Sequence, residues 1–331
     1  LVHQVLIEES VLGWEELELE VVRDARNQMI TVCFIENVDA MGVHTGDSFC
    51  TAPMLTISKE LQERLQKHSY DIVEAIQVIG GTNVQFAHDP RTGRVVVIEI
   101  NPRTSRSSAL ASKATGFPIA MVSSMLAGGM TLDEIPYWRD GTLEKYTPSG
   151  DYVVVKFARW GFEKFRDAVD RLGTQMRAVG EVMSIGKTYK EALQKAIRSL
   201  ETGRYGLGFA KDFNRKSTSE LMVLLAEPGS ERQFIMYEAL RKGVSVEELH
   251  AKTHIKAWFI EQMKELVEFE EEILRHRGSP LPDKLLVQAK KDGFADRYLA
   301  KLLQTPEVEI RKQRTRLGVV EGWEPVPVSG V

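Results

Sequence analysis

The chain has 331 residues, a formal net charge of −4 and 43% apolar content. That length suits about two ordinary domains, and the near-balanced charge speaks against nucleic acid or an anionic membrane as a bulk partner. Two cysteines, Cys33 and Cys50, exclude a disulfide framework and a zinc cluster and point to a reducing cytoplasm, and no apolar run nears the ~20 residues a membrane-spanning helix needs.

In chain order, residues 2–8 look like the approach to an interior strand. With Leu at position 1 and a Pro/Val/Gly tail at the other end, the sequence reads as an excised piece of a larger polypeptide. Residues 17–24 and 28–36 predict a hairpin about 25–27. Leu17, Leu19 and Val21 face one way; Glu16, Glu18 and Glu20 face the other. Cys33 lies in the apolar half of that hairpin and reads as a small core residue. Residues 36–48 form a polar loop rich in turn formers, and a helix follows over about 58–79.

Residues 83–89 and 94–103 predict a second hairpin about Thr92, signalled by Asp89-Pro90 and Gly93. Period-two alternation puts Glu99, Asn101 and Arg103 on one face, with Val95 and Val97 burying that face up to Glu99, and Val96, Ile98 and Ile100 on the other. The pairing sets Gln85 opposite Glu99 and Asn83 opposite Asn101, close enough to share an ion. A carboxylate ending a buried strand needs a cation or dense donors. With Arg103 and Arg106 next in sequence, the fitting ligand is a hard metal ion carrying phosphates. A short helix from Ser107 to Thr115 stops at Gly116 and Pro118, and its amide end favours anions.

Tyr152-Val-Val-Val-Lys-Phe reads as a further buried strand. Thr188-Tyr-Lys-Glu191 is a capping box opening a helix that ends near Gly203. From there to Gly318 the pattern is helical, with capping boxes at Ser217–Glu220, Ser230–Gln233 and Ser245–Glu248. A long helix over about 254–276 carries Trp258 and Phe259 as core or helix-partner contacts, and its run Glu265–Glu272 reads as a solvated face. Residues 290–300 form a helix, a Gly turn and a helix, without the basic recognition helix of a DNA reader. The expected fold is therefore α+β in residues 1–203, a mostly antiparallel sheet with helices, followed by an all-α domain in 204–331.

Asn101-Pro-Arg-Thr-Ser-Arg-Ser-Ser-Ala-Leu-Ala-Ser-Lys-Ala-Thr-Gly-Phe-Pro-Ile-Ala120 and Glu36-Asn-Val-Asp-Ala-Met-Gly-Val-His-Thr-Gly-Asp-Ser48 resemble the large chain of carbamoyl-phosphate synthetase. Glu181-Val-Met-Ser-Ile-Gly-Lys and Lys291-Asp-Gly-Phe-Ala-Asp extend the resemblance to all but the last dozen residues. It implies the C-terminal part of the first, carboxyphosphate-forming ATP-grasp domain followed by the helical oligomerisation domain. Implied substrates are ATP, bicarbonate and ammonia. Implied partners are a glutaminase small subunit, the second half of the large chain, and further copies through the helical domain, with no nucleic acid and no membrane.

The resemblance also implies roles. Gln85, Glu99 and Asn101 match ligands of Mg2+ or Mn2+. Glu9 matches the ribose-binding position, and Val11 lies beside the adenine. Glu16, Asn37, Asp39, Ala40, Val43 and Ser48 match positions around K+, with Glu16 also near the nucleotide. Gly42, Val43 and His44 match a loop meeting ATP phosphates and carboxyphosphate, and Arg103 and Arg106 match arginines for bicarbonate and the transferred phosphoryl group. The family's upstream lid and arginines lie outside this sequence, so the segment alone is expected to turn over little or no ATP. The rivals are another ATP-grasp ligase of biotin-carboxylase type, which would keep the Glu-x-Asn-x-Arg strand but not the Ser-Arg-Ser-Ser run, and a non-catalytic assembly module.

Overall fold

The computed structural model describes residues 3–137 and 141–325. Its first part is one seven-stranded sheet in which every neighbouring pair is antiparallel. The strands are β1 (Glu15–Arg23), β2 (Met29–Asn37), β3 (Cys50–Ala52), β4 (Gly80–His88), β5 (Val95–Asn101), β6 (Val153–Arg159) and β7 (Gly180–Gly186), and their order across the sheet is β5-β4-β1-β2-β3-β6-β7. Both expected hairpins form, β1 with β2 and β4 with β5.

Helix α1 (Lys59–Ala75) covers one face, packing Leu65 and Val73 against Leu17, Leu19, Val84 and Phe86. On the other face α2 (Arg106–Thr115), α3 (Ile119–Ala127) and the turn between them bury Leu110, Ala111, Phe117 and Ile119 against Ile30, Val32, Cys33 and Ile35. Cys33 is thus the small core residue its apolar run suggests. Helix α4 (Tyr189–Ser199) lies on β6 and β7, and its core continues without a break into the helical part.

That part comprises α5 (Thr218–Leu224), α6 (Arg232–Arg241), α7 (Val246–Thr253), α8 (Ala257–Leu274), α9 (Asp283–Lys291), α10 (Asp296–Leu303) and α11 (Glu307–Arg316). Among the described residues no strand follows Gly186, and no helix is long and apolar enough to cross a membrane. Tyr189 of α4 meets Trp258 and Phe259 of α8 at ring-centroid distances of 5.6 and 5.3 Å, so these aromatics are helix-partner contacts as expected.

Several sequence expectations are corrected. Residues 3–8 form no strand and lie exposed, Ile7 at 88%. The β4–β5 register slips between Gln85 and Phe86, because β5 carries one extra residue at Ile98. That bulge moves Val95 and Val97 to the face of Phe86, away from Glu99. β5 is also a sheet edge, so it is not buried on both faces: Val97 is 49% exposed. Helix α1 stops at Ala75 because Gln77 turns left-handed (φ 52°), and α4 stops at Ser199, before Glu201 turns left-handed (φ 55°).

The long helix starts at Ala257, because His254 is the left-handed cap of α7. Ser230 does not cap α6. Its hydroxyl and amide both donate to Asp170, and Glu231 takes the cap position without a side-chain bond. Glu270, inside the supposedly solvated run, is fully buried. The hydroxyls of Tyr237 (2.7 Å) and Tyr298 (2.6 Å) donate to it, and Arg241 pairs with it. The boxes at Ser217 and Ser245 form as written.

The two parts are joined through a buried ion pair. Arg232 Nε and Nη2 lie 2.7 and 2.5 Å from the two Asp39 oxygens, and the guanidinium stacks on Phe49 and Trp160. Removing one partner of such a pair strands a bare charge. Arg232→Met is expected to lose about 3–5 kcal/mol in urea unfolding, and adding Asp39→Asn is expected to recover part of it. A single-variant loss under about 1 kcal/mol, the range of an exposed pair, would contradict this account of the junction.

Candidate active site

The alternation of β1 sends Glu16, Glu18 and Glu20 to one face, and that face is covered: none is more than 3% exposed. Neighbouring strands supply amides to them. Asn83 Nδ2 donates to Glu18 (3.1 Å) and Glu20 (2.9 Å), and Asn37 Nδ2 donates to the other Glu18 oxygen at 2.9 Å. Ser108, in the first turn of α2, donates its hydroxyl to Glu20 at 2.9 Å. Two atoms on this face stay unsatisfied, Glu16 Oε2 and Asn37 Oδ1. Burial, then the charge of Glu18, raises the Glu16 carboxyl well above the usual carboxylate range. A buried carboxyl oxygen and a buried amide oxygen without partners are atoms that a hard cation would satisfy, the cation offsetting the burial that disfavours the carboxylate.

The metal candidates extend the same face toward the edge. Gln85 pairs in register with Glu99, and Asn83 with Asn101. Gln85 Nε2 donates to Asn83 Oδ1 (3.1 Å), Asn101 Nδ2 to Glu99 (3.0 Å) and Arg103 to Asn101 Oδ1 (3.1 Å). Among the described residues no three His, Cys, Asp or Glu side chains stand together as a metal cluster. A divalent ion here would take amide as well as carboxylate oxygens and complete its shell from phosphate and water, as magnesium does.

The loop between β2 and β3 reaches over this floor. Gly13 N–H donates to the Met41 carbonyl, and Met41 N–H to that of Trp14, which seats Leu12 on Gly42. Gly42 has φ 121°, a backbone conformation that favours glycine, and Leu12 Cδ1 packs where a Cβ would sit. Ala40, Gly42 and Val43 line a cleft of about 460 Å³ with Leu12, Arg232 and His254. His44 Nδ1 accepts the Gly46 N–H at 2.9 Å, which leaves the ring proton on Nε2. Arg106 Nη1 reaches Met176 Sδ (3.3 Å), which sits against Gly46, so Arg106 and the His44 loop converge.

Some candidates stand apart. Glu9 is exposed and takes both prongs of Arg94, at 2.6 and 2.8 Å, and the pairing lowers its carboxyl pKa. Val11, two residues on, is half-buried. The Asp39 carboxylate is committed to Arg232 and to the Phe49 N–H (3.1 Å), and the Ser48 hydroxyl donates to the Phe49 carbonyl. Sequence reasoning placed Glu18 and Glu20 on the right face without assigning them to the site, and it missed Lys156. A single lysine inside the apolar run Val153–Phe157 was the available signal.

Burial pushes the Glu20 carboxyl up to about 7; the Ser108 hydroxyl opposes the rise, and Glu18 adds to it. A folded-state value above the ordinary one means the fold holds this proton more tightly than the unfolded chain does. The stabilisation is therefore complete below the ordinary carboxyl value and lost as pH rises through about 7. Glu20→Gln keeps the shape without the charge. It is expected to stabilise the chain at pH 8 by on the order of 1–3 kcal/mol, with the gain vanishing near pH 5, as read by thermal melts. Equal gains or losses at both pH values would contradict this environment for Glu20.

Comparison with known proteins gives the family. Residues 2–135 match the family described as carbamoyl-phosphate synthase L chain, ATP binding domain, and residues 181–318 match the carbamoyl-phosphate synthetase large chain, oligomerisation domain. The chain is 50% identical over 327 residues to the carbamoyl phosphate synthase large chain of Archaeoglobus fulgidus, covering 96% of this chain and 30% of that one. It is 50% identical over 317 residues to that of Thermotoga neapolitana, covering 95% and 28%. Among solved structures, pyruvate carboxylase from Rhizobium etli aligns at 15% identity and a TM-score of 0.47, over 81% of this chain and 26% of that one. The chain therefore belongs to the carbamoyl phosphate synthase large-chain family and spans about 30% of the length of the relatives it matches.

Proposed function

We propose that this chain carries the floor of the site at which ATP phosphorylates bicarbonate to carboxyphosphate, which ammonia then converts to carbamate. The observation that carries this reading is a row of oxygens in register, Gln85 with Glu99 and Asn83 with Asn101, running into Arg103 and the N-terminus of α2. Bicarbonate is a weak nucleophile and ATP a polyanion, so catalysis rests on positioning and on offsetting charge. Arg103 and Arg106 supply guanidinium forks for bicarbonate and the moving phosphoryl group. His44, with its proton on Nε2, donates to the anion without adding net charge. Gly42 and Val43 border the phosphates, Glu9 and Val11 the ribose and adenine.

Gln85, Glu99 and Asn101 would hold Mg2+ or Mn2+, which would supply positive charge to offset that of the ATP phosphates. Glu16 and Asn37 would hold K+ with the oxygens they leave unpartnered, beside the loop that carries Asp39, Ala40, Val43 and Ser48, in which the Asp39 carboxylate and the Ser48 hydroxyl are already engaged by Arg232 and Phe49. We assign residues 1–203 to the ATP-grasp portion and 204–331 to oligomerisation. In its working context the segment joins the second half of a large chain and a glutaminase small subunit that delivers ammonia, in the cytoplasm, in the synthesis of carbamoyl phosphate for arginine or pyrimidine biosynthesis.

The test is ATP hydrolysis by a large chain of the relatives' length that carries this segment. Bicarbonate is expected to stimulate hydrolysis, and Glu99→Gln to remove the stimulation by about 10²-fold or more. Hydrolysis indifferent to bicarbonate, or to Glu99→Gln, would sink the reading. The segment alone is expected to hydrolyse little or no ATP.

A further inference from the structure

Lys156 interrupts the apolar strand β6 on the polar face of the sheet, in register with Cys50 of β3 and Met183 of β7. It is 7% exposed. It lines a recess of about 40 Å³ with Glu18, Glu181, Arg106, Thr45 and Gly46. A buried ammonium has to be matched by anions and acceptors. Burial pulls its pKa down, but Cys50, Glu18, Glu181 and Glu16 outweigh that and leave it raised, so the side chain is a cation. Its hydrogen bond goes to the main chain instead of to a carboxylate. Nζ donates to the main-chain carbonyl of Thr45, at 2.7 Å.

That carbonyl belongs to the same peptide group as the Gly46 N–H. A trans peptide is a rigid plane in which C=O and N–H point in opposite directions. Lys156 grips the oxygen end of this plane, and His44 Nδ1 accepts from its hydrogen end at 2.9 Å. A cation on the carbonyl also polarises the amide and strengthens its N–H as a donor. The remaining ties of the loop are His44 N–H to the Gly173 carbonyl, the Asp47 carboxylate accepting from Trp160 Nε1, Arg177 N and Ala178 N, and a turn over residues 44–47 closed by Asp47 N–H and Ser48 N–H on the His44 carbonyl at 2.7 and 3.0 Å. Such a turn still allows its central peptide, Thr45–Gly46, either of two flipped orientations, and Lys156 holds one of them.

We propose that Lys156 is a positioning residue which, through the Thr45–Gly46 peptide, fixes the orientation of the His44 ring and keeps its proton on Nε2. Its consequence for catalysis rests on the carboxyphosphate reading, in which His44 Nε2 faces the anion; the structural part does not.

The test uses the chain without nucleotide, so the two parts separate. In the unmutated chain, ring-nitrogen NMR is expected to show His44 with a protonated Nε2 and an unprotonated Nδ1, and the Lys156 ammonium protons to exchange slowly and correlate with the Thr45 carbonyl carbon. In Lys156→Met the two His44 nitrogen shifts are expected to move together toward the averaged values of a free imidazole, and Lys156→Arg to restore them. A folded Lys156→Met with unchanged His44 shifts would overturn the proposal. Should that variant not fold, an unmutated chain lacking the Lys156–Thr45 correlation would overturn it equally. In a large chain carrying the segment, Lys156→Met is expected to lower kcat by on the order of tenfold at little change in KM for ATP, with arginine rescuing. Altered His44 shifts together with bicarbonate-independent hydrolysis would keep the positioning role and sink the carboxyphosphate reading.

Discussion

Three glutamates at alternate positions of one strand point into a covered face, and an uncompensated carboxylate there is among the costliest groups a fold can bury. The neighbourhood of β1 can be understood as compensation. β4 contributes Asn83, β2 contributes Asn37, α2 brings the Ser108 hydroxyl, and Lys156 with Arg106 adds positive charge in the same recess. The compensation is incomplete at the Glu16 end, where a carboxylate oxygen and the Asn37 amide oxygen remain bare. A protein interior leaves few such atoms without cause. They lie on the same face as the Gln85–Glu99 pair, and in the proposed reading that face takes a cation and phosphates.

The same constraint explains why the helical part matters to the site. The loop of residues 39–48 has few side chains of its own to hold it over the floor. It is pinned from outside by Arg232 of α6 and from inside by Asp47, which accepts from Trp160, Arg177 and Ala178. The start of β1 is tied in a similar way: Glu15 bridges Lys256, just ahead of α8, and His88 at the end of β4, each at 2.7 Å. Packing of the helices therefore reaches both the loop that carries His44 and the strand that carries the glutamates.

Patterns of period two and of turn chemistry were legible in the sequence, and so were both hairpins and the Gln85–Glu99 register. The bulge at Ile98 was not, because one extra residue inside an apolar run leaves the alternation looking regular while it exchanges faces. β3 is three residues long and β7 is a weakly patterned segment, so neither announced itself, although both complete the sheet that carries Lys156. Ser230 has the letters of a capping box, yet a distant carboxylate, Asp170, competes for its hydroxyl. Glu270 hides in an acidic run, since its burial depends on Tyr237 and Tyr298 from other helices. At Ser230 and Glu270 a tertiary partner overrode a local rule.

The central claim, that the covered acidic face is where a metal–nucleotide complex sits, is tested most directly by adding Mn2+ with ATP to the chain and following the side-chain amide NMR signals of its Asn and Gln residues. The account predicts broadening concentrated on Gln85, Asn101 and Asn83, with Gln313 in the far helical part unaffected. Broadening spread evenly over the surface, or absent from Gln85 and Asn101 while present elsewhere, would contradict it.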